Sequence, residues 1–175
     1  MARAAAWWGG LGRRGRVLAL TGAAVLVAAC VALAVVRSLP PAPRARQYLA
    51  FTACLLTDAH GLNGQPAATV WAGMEDASLA THAKAEYLPV MTGGTAADAA
   101  PFLASLAARQ CKVIIGAGPA PSAAVAAGAR RYPAIRFAVV GGGTAGRNVA
   151  DLTGSAGAVR SAVDSLVTSA VAAAT

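Results

Sequence analysis

The chain has 175 residues, of which 57% are apolar and 13% charged, with a formal net charge of +8. A chain this apolar falls outside the disordered class, and its length allows an anchor plus one domain of ordinary size. The charge invites a nucleic-acid reading, but residues 1–46 hold seven Arg and no acid, whereas residues 48–175 hold eight basic and seven acidic residues, 8 − 7 = +1. A near-neutral body without a basic stripe interleaved with aromatics lacks what phosphate-backbone binding requires, so no nucleic-acid partner is expected.

Residues 1–16 form a basic N-terminus, expected in the cytoplasm. Residues 17–36, VLALTGAAVLVAACVALAVV, carry no charge. At a rise of about 1.5 Å per residue they span about 30 Å, the thickness of a bilayer's hydrocarbon core. Arg3, Arg13, Arg14 and Arg16 precede the run and Arg37, Arg44 and Arg46 follow it. This slight bias places the N-terminus inside and the body outside, and Trp7 and Trp8 suit the membrane interface. The run is longer than a signal-peptide core, which favours an uncleaved signal anchor with the membrane as its partner. Two alternatives stand beside it. Val27-Ala28-Ala29-Cys30 resembles a loose lipobox, which would make Cys30 a lipidation site. An ordinary cleaved signal peptide is the third reading. All three put the body outside the cytoplasm. Residues 37–47, with Pro40, Pro41 and Pro43, read as a short stiff linker.

The body, residues 48–175, alternates strand and helix signals. YLAFTACLLT reads as a buried strand. Val70, Met74 and Ala77 follow at helical spacing. EYLPVM is a short strand whose Pro89 suggests a sheet edge, because proline cannot donate to a ladder. Asp98 is a plausible helix cap, with Pro101 expected in the first turn and Leu103 and Leu106 on the buried stripe. CKVIIGAG is a β-branched strand running into a glycine loop, and Ser122 is expected to cap the next helix. IRFAVVGGG is a fourth strand. NVADLT is extended, and a final helix runs over residues 155–173. Crossover helices between strands predict an α/β fold in three layers, a parallel sheet with helices on both faces. Ligands of such sheets bind at the strands' C-terminal ends, which carry Asp58, Gly116, Gly118 and Gly141.

CLLTDAHGLN, VWAGMEDA, LASLAARQCKVIIGAG, AARRYPAIRFAVV and NVADLT, in this order and spacing, resemble the first lobe of the basic membrane protein family. These are purine-nucleoside-receptor-like substrate-binding lipoproteins of ABC transporters. The resemblance implies a single lobe of a type I periplasmic-binding-protein-like fold and a nucleoside or sugar ligand. It also implies a ligand role for the Asp after Thr57, here Asp58, with His60 and Asn63 in the same loop. Gly61, Trp71 and Gly73 match the family pattern too. His60 stands where the family has Gly, and the family's Ser-Phe-Asn is Gln65-Pro66-Ala67. The fourth strand ends in Gly141 rather than Asp, and a second lobe is not in this chain. Loss of an aromatic platform removes about 1–3 kcal/mol per stacked base. The nucleoside site is therefore expected to be degenerate, and a second copy or another protein would have to replace the second lobe.

Other constellations are weaker. GGGTAG, residues 141–146, fits G-x-G-x-x-G, but an extended segment follows it where a dinucleotide site needs a helix, so no cofactor is expected. His60 and His82 fit no zinc spacing, and no nucleophile-base set is recognisable, so neither a metal site nor an enzyme is expected. Cys54 and Cys111 sit at similar heights in neighbouring strands, either as a disulfide or as two buried thiols. Val159, Val163, Leu166 and Val167 give the last helix an apolar face, which either packs on the sheet or pairs with a partner. The leading expectation is a membrane-anchored, extracytoplasmic solute-binding-like domain. The alternative is a protein-interaction or sensor module of the cell envelope without a small ligand.

Overall fold

The computed structural model describes residues 26–31, 47–91, 93–141 and 145–174. The chain divides into two compact units, Met1–Ala45 and Arg46–Thr175. In the first unit, residues 26–31 are helical and exposed, and Cys30 is a free thiol there. The remainder of the expected anchor lies outside the described residues. Among the described residues, no helix is long and apolar enough to cross a membrane.

The second unit is an α/β domain. Its strands are β1 (Thr52–Thr57), β2 (Lys84–Pro89), β3 (Val113–Ala117), β4 (Arg136–Val140) and β5 (Val149–Leu152). Its helices are α1 (Ala67–Thr81), α2 (Ala96–Ala108), α3 (Pro119–Gly128) and α4 (Ala156–Ala172). The sheet order is β2-β1-β3-β4-β5, with every pairing between these strands parallel. β2 is an edge strand and ends in Pro89, in line with the expectation drawn from that proline.

Alternation along the strands builds two cores. Ala53, Leu55, Val113 and Ile115 face α1 and α4 through Val70, Met74, Val163 and Val167. Cys54, Leu56, Ile114, Phe137 and Val139 face α2 and α3 through Leu103, Leu106, Ala124 and Val125. Strands buried on both faces need apolar residues at consecutive positions, and β1 and β3 have them. Both cores, all the strands and their crossover helices belong to residues 46–175, so this unit has what a domain needs to fold alone.

Val159, Val163 and Val167 of α4 are spent inside the first core, so the last helix's apolar face is not a free surface. Gly73 makes this packing close: a Cβ there would lie 2.9 Å from the Val163 Cβ and would overlap the Arg160 carbonyl. Arg160 completes the seam by donating from Nε and Nη2 to the two oxygens of Asp76, at 2.6 and 2.8 Å. The pair holds the Asp76 carboxyl below its ordinary range, chiefly through the Arg160 hydrogen bonds.

Two helix starts differ from expectation. Thr95, not Asp98, caps α2: its hydroxyl accepts the Asp98 N–H at 3.3 Å, while Asp98 Oδ2 accepts the Thr95 N–H at 3.1 Å. This reciprocal box satisfies two donors that the first turn leaves free. Pro101 consequently lies in the second turn, inside the helix. Ser122 is not a cap either. It lies within α3, fully buried, and its hydroxyl meets the carbonyls of Gly116 at 3.0 Å and Val140 at 2.9 Å, tying α3 to β3 and β4.

α2 ends in a Schellman motif with Gln110 at φ 63°, where glycine is usual. The Cys111 N–H reaches the Leu106 carbonyl and the Gln110 N–H reaches that of Ala107. This turn delivers Cys111 two residues before β3 begins, and it is bonded to Cys54 with the Cα atoms 5.9 Å apart. The strand register sets Cys54 opposite Ile114, and Cys111 bonds to it from the turn before β3 rather than from within the strand.

Candidate ligand cleft

A parallel sheet ordered 2-1-3-4-5 reverses direction between β1 and β3, and ligands of such sheets sit above the C-terminal ends there. Thr57, the last residue of β1, is fully buried and donates its hydroxyl to the Asp58 carbonyl at 3.0 Å. Asp58 Oδ1 accepts the His60 N–H at 3.0 Å, a local turn closed by an Asp side chain. The imidazole Nδ1 is 3.4 Å from the same oxygen, and His60 is 79% exposed against 41% for Asp58. The other carboxylate oxygen lies over Gly118: a Cβ there would be 3.6 Å from Asp58 Oδ2. Gly118 has φ +96° and donates its N–H to the Val140 carbonyl. A Cβ on Gly141 would be 3.5 Å from both Gly118 Cα and Pro66 Cγ. Asp58, Gly118, Gly141 and Pro66 thus form one continuous row.

The remaining candidates fall elsewhere. Gly116 is buried beneath α3, where a Cβ would come within 2.9 Å of the Pro121 carbonyl, so it is a packing position. Asn63 is exposed in the helical turn Gly61–Asn63 and lines no described part of the cleft. Gly141 begins the glycine loop, and residues 142–144 lie outside the described residues; after Gly146 the chain enters β5 rather than a helix.

Beyond Gly141 the row opens into a cleft of about 520 Å³. Its polar wall is Gln65, Thr69 and Thr153, and its floor is Val140 and Leu152 at the ends of β4 and β5. Thr69 donates to Gln65 Oε1 at 2.8 Å. The N-terminal turns of α1 and α4 contribute Thr69 and Ala156 to it. Sequence reasoning missed these residues. The available signal was Gly154–Ser155 after β5, a positive-φ glycine and a capping serine that mark a helix start at the cleft's rim. Such a wall can bind a small polar molecule by hydrogen bonds. Among the described residues, no group of three or more His, Cys, Asp or Glu is placed to hold a metal ion.

A second hollow, of about 630 Å³, lies along the free edge of β2. Trp71 and Tyr87 meet edge to face there at 5.6 Å, and Trp71 Nε1 donates to Glu75 Oε1 at 2.8 Å. Tyr48 and Leu79 line it and are exposed, and Tyr87 is exposed beside Trp71.

No protein-family model matches the chain, and neither does any curated protein sequence. Among solved structures, the chain is similar to a protein assigned as a lipoprotein, a fragment from Peptoclostridium difficile 630. That match has a TM-score of 0.56 and 14% identity, covering 69% of this chain and 98% of the other. It is also similar to a transcriptional activator of the comK gene from Bacillus halodurans, at TM-score 0.47 and 17% identity over 58% of this chain and 33% of the other. ABC-transporter solute-binding proteins from Aeropyrum pernix K1 match at TM-score 0.45 and 18% identity, over 58% and 28%. The chain therefore spans about a third of the latter two proteins. The first likeness shows the α/β fold.

Proposed function

We propose that the chain is a solute-binding-like lobe of the basic membrane protein type, tethered at the outer face of the cell membrane through residues 17–36. The observation that carries this reading is the row Asp58–Gly118–Gly141 above a 2-1-3-4-5 parallel sheet, opening into a largely apolar cleft edged by Gln65, Thr69 and Thr153. The Cys54–Cys111 bond supports an oxidising, extracytoplasmic setting. The likeness to a lipoprotein fragment supports an envelope address. The ligand class is a small polar molecule, a nucleoside or a sugar, held weakly because a single lobe leaves it exposed. Receptors of this kind enclose ligand by closing two lobes, so tight binding here needs a second wall.

Thermal-shift screening of the full chain in detergent against nucleosides, bases and sugars tests this. Ligand at about 100 times Kd stabilises by about 2.7 kcal/mol. A shift that Asp58→Ala abolishes is the expected result; no shift with any of the three classes rejects the reading.

The second reading, a protein-interaction module, is favoured by the aromatic hollow on the β2 edge, since exposed apolar surface beside a free edge suits a protein partner. Pull-down with wild type against Tyr87→Glu and Leu79→Glu discriminates: partners lost in both variants favour it, and partners unaffected by either reject it.

A further inference from the structure

Net charge conceals how the charges of the second unit are sorted. Successive strand starts are linked by backbone bonds: Lys84 N–H to the Phe51 carbonyl, Lys112 to Thr52, Arg136 to Lys112, and Phe137 to Asn148. Lys84, Lys112, Arg136 and Arg147 therefore stand in a row across the N-terminal pole of the sheet, opposite the ligand cleft. The parallel order brings the helix ends to the same pole. Arg109 ends α2, and Arg130 and Arg131 form the turn after α3. All of these side chains are exposed.

Seven of the eight described basic residues lie here, the eighth being Arg160, which is held by Asp76. The neighbouring acids are Glu86, 3.9 Å from Arg109, and Glu75, which shares the edge hollow with Lys84. Among the described residues, no ion pair involves Lys84, Lys112, Arg130, Arg131, Arg136 or Arg147. Cations at helix C-termini complement the helix dipole, which accounts for Arg109, Arg130 and Arg131. It does not account for those on the strand starts. Arg130 and Arg147 also flank a hollow of about 790 Å³ with Asn148 and Pro133.

We infer that this basic pole docks on anionic phospholipid head groups. It is the pole at which the chain enters β1, and residues 37–47 reach at most about 40 Å when fully extended. Docking rests on the tether through residues 17–36 proposed above, with which such a linker would keep this pole within reach of the bilayer surface. Anionic lipid attracts clusters of Lys and Arg held close to its surface. A nucleic-acid partner would meet the same charges, and exposed Tyr48 beside Lys84 and half-buried Tyr132 beside Arg131 are aromatics at this face, so it is the tether to the bilayer that favours lipid. Docked in this way, the domain holds its ligand cleft away from the bilayer.

Cosedimentation of residues 47–175 with vesicles tests the inference, independently of any small ligand. Phosphatidylcholine vesicles should leave the domain in solution, and vesicles that also contain phosphatidylglycerol should pellet it. Binding should vanish in about 1 M salt, where the screening length is about 3 Å. Replacing Arg130, Arg131, Arg136 and Arg147 by Gln should weaken binding at least about tenfold, on the basis of these rows of unpaired charge. Lys84 and Lys112 of the wild-type full chain should be acylated several-fold more slowly in anionic than in neutral vesicles, a readout that needs no variant. Equal binding to both vesicle types, no binding to either, or tight binding to duplex DNA without binding to anionic vesicles would overturn it.

Discussion

Gln110 and His82 hold left-handed backbone at the ends of α2 and α1, at φ 63° and 60°. A side chain in that region costs about 1–2 kcal/mol, and glycine's extra freedom in the unfolded chain returns about 0.4–1 of this. Gln110→Gly should therefore stabilise the domain by about 0.5–1 kcal/mol, read as a higher urea midpoint. Gly73→Ala should do the opposite. Its methyl would press on the Arg160 carbonyl and the Val163 Cβ, and overpacking of this kind costs about 1–3 kcal/mol. The same denaturant series measures both. At this scale the sequence was partly legible. Asp58 could be read at a strand end because Thr57-Asp58 follows an apolar run. Ser122 could not, because a serine's hydroxyl bonds as well to carbonyls of two strands as to its own helix, and only the three-dimensional meeting of Gly116 and Val140 decides it.

Helices and strands were the most legible level, since hydrophobic period and glycine or proline punctuation act locally. Pro89 marked an edge that the sheet order confirms. The start of α2 is ambiguous in the sequence because Thr95 and Asp98 are both good caps, and the box uses both. That box has a pH signature. The Thr95 hydroxyl, followed by its N–H, lowers the Asp98 carboxyl below 3.8. A lowered carboxylate stabilises the fold above its unfolded value and loses that contribution as pH falls through the folded one. Thr95→Ala should accordingly melt lower than wild type at pH 7, with the gap narrowing as pH drops below 3.8. Thermal melts across the acid range check this. The Cys54–Cys111 bond joins residues 57 apart. Closing a loop of that length is worth about 4 kcal/mol by chain entropy, so dithiothreitol should lower the denaturation free energy by about that amount. With reduction of this buried bond verified by mass, an unchanged midpoint would mean that the reduced unfolded chain is already compact.

For the whole domain, a near-neutral sum gave no hint of a charged pole, because addition along a chain erases position. The parallel order restores it by gathering every strand start, and the helix ends that precede them, on one side. The ligand question also belongs at this scale, since enclosure needs a second wall. Sedimentation velocity of the full chain in detergent should show self-association that strengthens with a bound nucleoside or sugar if a second copy supplies that wall. The disulfide has a further consequence at this scale. Cys54 and Cys111 close a covalent ring that includes the Asp58 loop, α1, β2 and α2. A protease that cuts the exposed loop near His60 opens this ring without releasing a fragment. A nicked molecule should run as one piece on a non-reducing gel and as two on a reducing one, its sheet still assembled around the break.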